Sequence, residues 1–351
     1  MIKVLIVDDS AIVRKILTEE LSKCSDIEIV GTAVDPYVAR EKIAKFRPDV
    51  LTLDLEMPRM DGLSFLAKLM KHYPMPVVVL SSLTPKNSEL AIKALDLGAV
   101  DVLAKPGTAF STQNVAQQLI RSIRAAASAT IRRQPPVTDR TGETSIASNK
   151  LLSQTTYKII AIGASTGGTK AIEEVLIRMP GTSPGTVIVQ HMPEHFTSSF
   201  AKRLNEICPM EVREAKDNDY VTPGVALIAP GNRHMVLQRS GGNYLVRIKN
   251  GPMVHYQRPS VDVLFQSVAA AAGKNAVGVL LTGMGADGAK GLLEMKQAGA
   301  VTIAQSEATC VVFGMPKEAI KLGAADRVVD LDKIPAAIVE ALQVDSKTGA
   351  S

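Results

Sequence analysis

Two places in this 351-residue chain gather side chains whose types and spacing can do chemistry. The first is Gly163-Ala164-Ser165-Thr166-Gly167, a GxSxG pattern between the apolar run KIIAIG (158–163) and the helix-like TKAIEEVL. On a tight strand-to-helix turn such a serine stands exposed at the apex, and the helix N-terminus behind it favours developing negative charge. A serine hydroxyl attacks only when a base takes its proton, and that base needs an acid to fix its tautomer. His191 directly follows the apolar run TVIVQ (186–190), and Asp287 sits in the glycine-rich turn of LLTGMGADGAKG (280–291), after a further strand. The reading is a Ser165–His191–Asp287 triad converging from three strand ends, with backbone N–H groups near Thr166 and Met284 available to an oxyanion. The chain order serine, histidine, aspartate differs from that of the familiar serine hydrolases.

The second place is acidic. Asp8 and Asp9 follow VLIV (4–7), Asp54 follows VLTL (50–53), Ser81 follows VVVL (77–80), and Lys105 follows VDVLA (100–104). In an open parallel sheet the strand ends share one edge and build the site there. Three carboxylates on one edge repel each other unless a cation separates them, and oxygen-only ligands suit Mg²⁺. A lysine and a hydroxyl alongside would orient phosphoryl oxygens in an in-line transfer to a carboxylate.

Each piece also has a plainer reading. Aspartates after strands commonly cap helices, which covers Asp9 or Asp287 taken singly. GASTGG could cradle a phosphate at a helix N-terminus, but it lacks both the lysine of a P-loop and the spacing of GxGxxG. His191-Met192-Pro193-Glu194-His195 matches the HxxEH zinc pattern literally. That pattern needs both histidines on one helical face, whereas His191 ends a strand and Pro193 suits only a first helical turn. His195 is expected to be an exposed first-turn residue, and His234 and His255 need no role.

The elements that must position these groups fall into two halves. In residues 1–120, five strand-like runs alternate with amphipathic stretches starting near Ser10, Pro36, Gly62, Asn87 and Gln113, which implies a parallel sheet covered on both faces. In residues 157–345, strands at 158–163, 186–190, 225–229, 276–281 and 300–304 alternate with helices at 168–178, 195–207, 260–272, 287–298 and 332–343. Two runs flanking Ser240-Gly241-Gly242-Asn243 read as an inserted β-hairpin. Between the halves, 121–156 starts alanine-rich and helical, then turns to Pro135-Pro136 and Ser, Thr and Gly without apolar period, the composition of a flexible linker.

Composition excludes several classes. With 46% apolar and 21% charged residues the chain can bury more than one core, so neither wholesale disorder nor a disulfide-stapled miniprotein fits. Apolar runs are strand-length, so no membrane span is expected, and MIKVLIVDDS runs into two aspartates without a leader-like cleavage site. Cys24, Cys208 and Cys310 are odd in number and far apart, fitting reduced thiols in a cytoplasmic protein. Of the five net positive charges, four lie in 121–156 (Arg121, Arg124, Arg132, Arg133, Arg140 and Lys150 against Asp139 and Glu143), so no nucleic-acid groove is drawn across a domain.

Two resemblances rest on these residues. VDDS, LDLEMPRMDG (53–62), Ser81-Ser82 and AKP (104–106) resemble the receiver domain of two-component response regulators over 1–120. The resemblance implies a flavodoxin-like fold with Asp54 as phospho-acceptor, and Asp8, Asp9 and the backbone carbonyl of Glu56 beside Asp54 on Mg²⁺. Ser81 and Lys105 would contact the phosphoryl group. Receivers often place an aromatic switch three residues before the lysine; here that position is Val102, so relay by an aromatic rotamer is not expected there.

GASTGG, QHMP (190–193), IAPGNRHM (228–235), RPSVDVLF (258–265), LTGMGADGAKG (281–291) and CVVFGMP (310–316) resemble the chemotaxis protein-glutamate methylesterases, as does the receiver–linker–catalytic order. The expectation is therefore α/β throughout: two doubly wound parallel-sheet domains, the second hydrolytic with an inserted hairpin. The resemblance implies Ser165, His191 and Asp287 acting on glutamate methyl esters, and on certain glutamines, of chemoreceptor cytoplasmic domains, with no cofactor in that half. A chemotaxis histidine kinase would be the phosphodonor, and the unphosphorylated receiver is expected to pack over the mouth of the triad. The rival class is a response regulator with a non-enzymatic binding output, for which a DNA reader's helix-turn-helix would be the sign.

Overall fold

A computed structural model describes residues 1–57, 60–82, 84–105, 112–129 and 157–343, and the chain divides into two compact units at Arg133/Gln134. In the first unit, strands β1 (Ile2–Val7), β2 (Ile27–Ala33), β3 (Val50–Asp54), β4 (Val77–Ser81) and β5 (Asp101–Ala104) alternate with helices α1 (Ala11–Leu21), α2 (Pro36–Phe46), α3 (Gly62–His72), α4 (Pro85–Asp96) and α5 (Thr112–Ser128). All strand pairs are parallel, in the order β2-β1-β3-β4-β5. This is the doubly wound order whose switch point lies between β1 and β3. Strands β3 and β4 are buried at every position, as their unbroken apolar runs require. Helix starts are set by side-chain caps: Ser10 accepts from the N–H of Val13, Asp61 from that of Ser64, and Thr84 from that of Asn87.

Helix α5 corrects the expected boundary. It runs through Ser128 and buries Leu119, Ile123, Ala125 and Ala126, so residues 121–128 belong to the receiver-like unit and not to a linker. The rest of the expected linker, 130–156, lies outside the described residues, as do Pro106 and 344–351.

The second unit holds β6 (Ile159–Ala164), α6 (Gly168–Ile177), β7 (Gly185–Gln190), α7 (Phe196–Ile207), β8 (Glu211–Glu214), β9 (Val225–Ile228), β10 (His234–Ser240) and β11 (Asn243–Lys249). These are followed by α8 (Val261–Ala272), β12 (Ala276–Leu280), α9 (Ala289–Gln297), β13 (Val301–Gln305), α10 (Met315–Lys321), β14 (Arg327–Val329) and α11 (Ile334–Gln343). Seven parallel strands form one sheet in the order β14-β13-β12-β6-β7-β9-β8. Strands β10 and β11 stand apart as the expected antiparallel hairpin, with Ser240 opposite Asn243. The hairpin's Met235, Leu237 and Val246 join Val261, Leu264 and Phe265 of α8 in one apolar core. Burying side chains of this size contributes about 1.5–3 kcal/mol each.

Candidate active site

Strand ends do most of the positioning. Ala164 and Gln190 are register partners at the ends of β6 and β7, so the next residues, Ser165 and His191, stand side by side on one rim. The backbone ladder continues past both ends: His191 N–H donates to the Ala164 carbonyl at 3.1 Å, and Ser165 N–H donates to the Thr282 carbonyl at 3.0 Å. Ser165 is thereby held between the β7 end and the loop following β12. Gly167, in the left-handed region at φ 78°, makes the turn into α6, and a side chain there would strike Val311.

The loop after β12 presses equally closely on the serine. A Cβ built on Gly283 would come within 2.6 Å of Ser165 Cβ and 2.3 Å of Met315 Sδ. Met284 follows in the same loop with its Cα close against Gly314, and Thr166 is buried at the Ser165 turn. The Thr282 hydroxyl lies 3.0 Å from the Thr166 carbonyl and accepts from the Val312 N–H, while the Thr282 N–H donates to Gln305 Oε1. Gln190 completes the frame, its Nε2 donating to the Ser165 carbonyl at 2.9 Å.

His191 and Asp287 are in direct contact, Nε2 to Oδ2 at 2.7 Å, with both side chains buried. Asp287 also receives the start of α8. Its Oδ1 accepts from the Ser260 hydroxyl at 2.7 Å and the Asp262 N–H at 3.0 Å, and its Oδ2 accepts from the Val261 N–H at 2.7 Å. Burial opposes ionisation of this carboxyl, but the hydrogen bond and charge of His191, with the donors from Asp262 and Ser260, outweigh it and hold the pKa below the usual range. An ionised Asp287 requires the proton of a neutral His191 on Nε2. The other nitrogen, Nδ1, is buried without a hydrogen-bond partner.

The zinc alternative does not assemble. His195 is exposed at the start of α7 with φ 71°, and His191 Nε2 is engaged by Asp287. A second grouping, His255, Asp262 and Asp287, lies within 4.8 Å, but both oxygens of Asp287 already accept two hydrogen bonds each. Burial pushes the thiol of Cys208 up to about 11 and that of Cys310 up to about 12, away from the reactive thiolate.

On the first unit, β1, β3 and β5 bring Asp8, Asp54 and Lys105 together. Lys105 Nζ lies 2.6 Å from Asp54 Oδ2 and 3.0 Å from Asp8 Oδ2, and those two buried oxygens have no other partner. Oxygens of Asp8, Asp9 and Asp54 lie within 4.8 Å of one another, with Asp9 exposed. Burial pushes Asp54 up to about 6, against the lowering effects of Lys105 and of the Glu56 N–H that donates to Oδ1 at 3.0 Å. Burial likewise opposes the charge on Lys105, but Asp54 and Asp8 outweigh it and raise its pKa. Ser81 ends β4 fully buried, its hydroxyl aimed at the Asn87 carbonyl 3.5 Å away and not at Asp54. The Glu56 side chain turns aside to accept from the Ser82 hydroxyl at 3.0 Å. Val102 is buried in β5.

Three groups around Asp287 escaped the sequence reading: Ser260, Asp262 and His234. Ser260 had a signal, a serine just before an apolar helical run. Asp262 and His234 lie within RPSVDVLF and IAPGNRHM, but nothing local gives their contacts, which lie 25 and 26 positions away.

A receiver-type sheet carrying an acidic pocket, joined in one chain to a parallel α/β unit carrying a serine, histidine and aspartate on one rim, defines a response regulator with a hydrolase-like output. Comparison with known proteins gives the family. The sequence profile described as CheB methylesterase matches residues 160–338, and that of the response regulator receiver domain matches 4–117. Protein-glutamate methylesterase/protein-glutamine glutaminase 2 of Syntrophus aciditrophicus is 62% identical over 96% of this chain and 98% of its own. The Escherichia coli protein-glutamate methylesterase/protein-glutamine glutaminase is 56% identical over 95% of each. Among solved structures, the Thermotoga maritima CheB methylesterase catalytic domain superposes with TM-score 0.51 at 40% identity, covering 52% of this chain and 97% of its own. The chain belongs to the CheB methylesterase family.

Proposed function

We propose that this protein is a phosphorylation-controlled protein-glutamate methylesterase and protein-glutamine glutaminase, acting on chemoreceptor cytoplasmic domains in chemotaxis. The observation that carries the chemistry is the 2.7 Å contact of His191 with an ionised Asp287 on the rim that also holds Ser165. In this reading His191 Nδ1 takes the proton of Ser165 as its Oγ attacks the ester carbonyl, and Asp287 stabilises the imidazolium. N–H groups near Thr166 and Met284 receive the oxyanion. Nδ1 then returns the proton to departing methanol, and water repeats the cycle on the acyl-serine. For a glutamine the leaving group is ammonia, and the product carboxylate is the same.

On the receiver unit, Asp54 is the proposed phospho-acceptor, taking the phosphoryl group from a chemotaxis histidine kinase. Three carboxylates against one lysine leave an excess of negative charge, and Asp8 and Asp54 each turn a buried oxygen toward Lys105 alone, so the donor set fits a hard divalent cation. Asp8, Asp9 and Asp54, with the backbone carbonyl of Glu56, would hold Mg²⁺, whose contribution when bound is neutralisation of phosphoryl charge. Lys105 and Ser81 would contact the phosphoryl oxygens, Ser81 after its hydroxyl turns from Asn87. No helix among the described residues is long and apolar enough to cross a membrane, and the proposed site of action is the cytoplasm.

The direct test is methanol release from membranes bearing methylated receptors, with and without a small-molecule phosphodonor. Release that rises with the phosphodonor supports the reading; no release under either condition removes it. Occlusion of the triad by the receiver is tested by the 147–351 fragment, which should outpace the unphosphorylated whole. A fragment no faster than the whole would refute it.

A further inference from the structure

His234 opens the hairpin strand β10 and is buried at 4% exposure, yet it lies in none of the roles above. Both of its ring nitrogens are engaged. Nε2 lies 2.9 Å from the Pro252 carbonyl, an acceptor only, so the neutral ring carries its proton there. Nδ1 is then a bare acceptor, and the Ser260 N–H donates to it at 3.3 Å. Ser260 is fully buried, caps α8, and gives its hydroxyl to Asp287 Oδ1 at 2.7 Å. A continuous path thus runs from Pro252 through His234 and Ser260 to Asp287 and His191. A second tie lies farther along, where the Leu237 N–H donates to the Ser267 hydroxyl of α8 at 2.8 Å. Gly251 packs on the ring, where an added Cβ would sit 3.3 Å from Cδ2.

We propose that His234 is a positioning residue for the hydrolysis: acting through Ser260, it fixes the start of α8 and thereby the carboxylate of Asp287 against His191. The hairpin, which adds no strand to the main sheet, is in this view a brace for the helix that holds the triad acid. Three donors of α8 meet Asp287 within the first turn, so a small rotation of that turn moves all of them together. A misplacement of about 1 Å at a reacting site can cost roughly a hundredfold in rate. The inference rests on the hydrolase reading given above.

The test uses full-length protein, methylated receptor membranes and two variants that part the ends of the ring. His234→Asn keeps an acceptor near the position of Nδ1 for the Ser260 N–H and gives up the Pro252 contact. His234→Gln keeps a donor near the position of Nε2 and offers Ser260 only a methylene. Turnover is expressed per serine titrated with an organophosphonate, so that any misfolded fraction drops out. The expected result is kcat reduced roughly tenfold in His234→Gln at unchanged KM, with His234→Asn within about threefold of wild type. A companion pair reads the next link: Ser260→Gly, which removes the capping hydroxyl at little cost to the helix, should lose kcat while Ser260→Thr retains it. Wild-type turnover with His234→Gln undiminished per titrated serine, or with the two His234 variants equally impaired, overturns the positioning role. No methanol from wild type would instead remove the hydrolase reading itself.

Discussion

His191 meets Asp287 through Nε2, at 2.7 Å from Oδ2, and leaves Nδ1 buried without a hydrogen-bond partner, the Ser165 hydroxyl included. Because the α8 donors and His191 keep Asp287 ionised against its burial, the imidazole tautomer is fixed with its lone pair on Nδ1. The same contact that orients the ring therefore prepares the proposed base. The arrangement also shows why the acid can come from the turn after β12 while three of its donors, from Ser260, Val261 and Asp262, come from the start of α8. A carboxylate at a helix N-terminus satisfies donors that would otherwise be orphaned.

Asp287→Asn should lower kcat by about 10³–10⁴ while changing KM little, because an amide facing Nε2 can place the ring proton on Nδ1. Stability should follow with a defined pH dependence. The folded-state pKa of Asp287 is depressed, so its ionised form contributes stability above the ordinary carboxylate pKa, lost as pH falls through the folded value. The variant should therefore melt below wild type at pH 7, with the gap closing in acid. Thermal melts across pH check this; a gap that widens in acid would contradict it.

Asp54 carries the opposite sign. Burial raises its pKa to about 6, so the folded state binds the extra proton and loses stability as pH rises from the ordinary carboxylate range through 6. Asp54→Asn should raise the melting temperature of the receiver transition at pH 7–8 in metal-free buffer, by about 4 °C or more. The difference should vanish near pH 4. Equal melting temperatures at both pH values would count against a buried, strained carboxylate.

Gly283 tests how tightly the loop after β12 seats the serine. Gly283→Ala places a methyl against Ser165 Cβ and Met315 Sδ, and activity per folded molecule should fall roughly a hundredfold. Gly242→Ala, at the hairpin turn with nothing within 4 Å of its new methyl, should leave stability within about 0.5 kcal/mol of wild type. Comparable activity in both variants would show that the approach is not tight.

Chelation should separate the two units. Removal of divalent metal with EDTA is expected to stop phosphorylation from a small-molecule donor and leave unstimulated methanol release unchanged, since the proposed hydrolysis uses only protein groups. Loss of unstimulated release on chelation, restored by zinc, would revive a metal mechanism.

Much of this was legible in the sequence because strand-end placement is local information. An apolar run tells where a parallel strand stops, and the next residue then lies at that strand's carboxyl end; His191, Asp8, Asp54 and Lys105 were placed that way, and Ser165 by its GxSxG turn. The hairpin announced itself through Ser240-Gly241-Gly242-Asn243. Short edge strands β8 and β14 and helix α10, of four, three and seven residues, were too brief to show a period. The boundary drawn after residue 120 falls inside α5, whose alanine-rich end was read as the helical start of the linker yet packs in the core. The contacts that make up the polar shell of Asp287 were not legible, for a different reason. Ser260 reaches it across 27 positions, and His234 reaches Ser260 across 26, and only the fold brings those together.

The most direct measurement is methanol release by Ser165→Ala on methylated receptor membranes, beside phosphorylation of the same preparation at Asp54. The account predicts release no greater than the enzyme-free blank, with phosphorylation unchanged. Release approaching that of wild type, from protein that still takes up phosphate, would contradict a serine nucleophile at position 165.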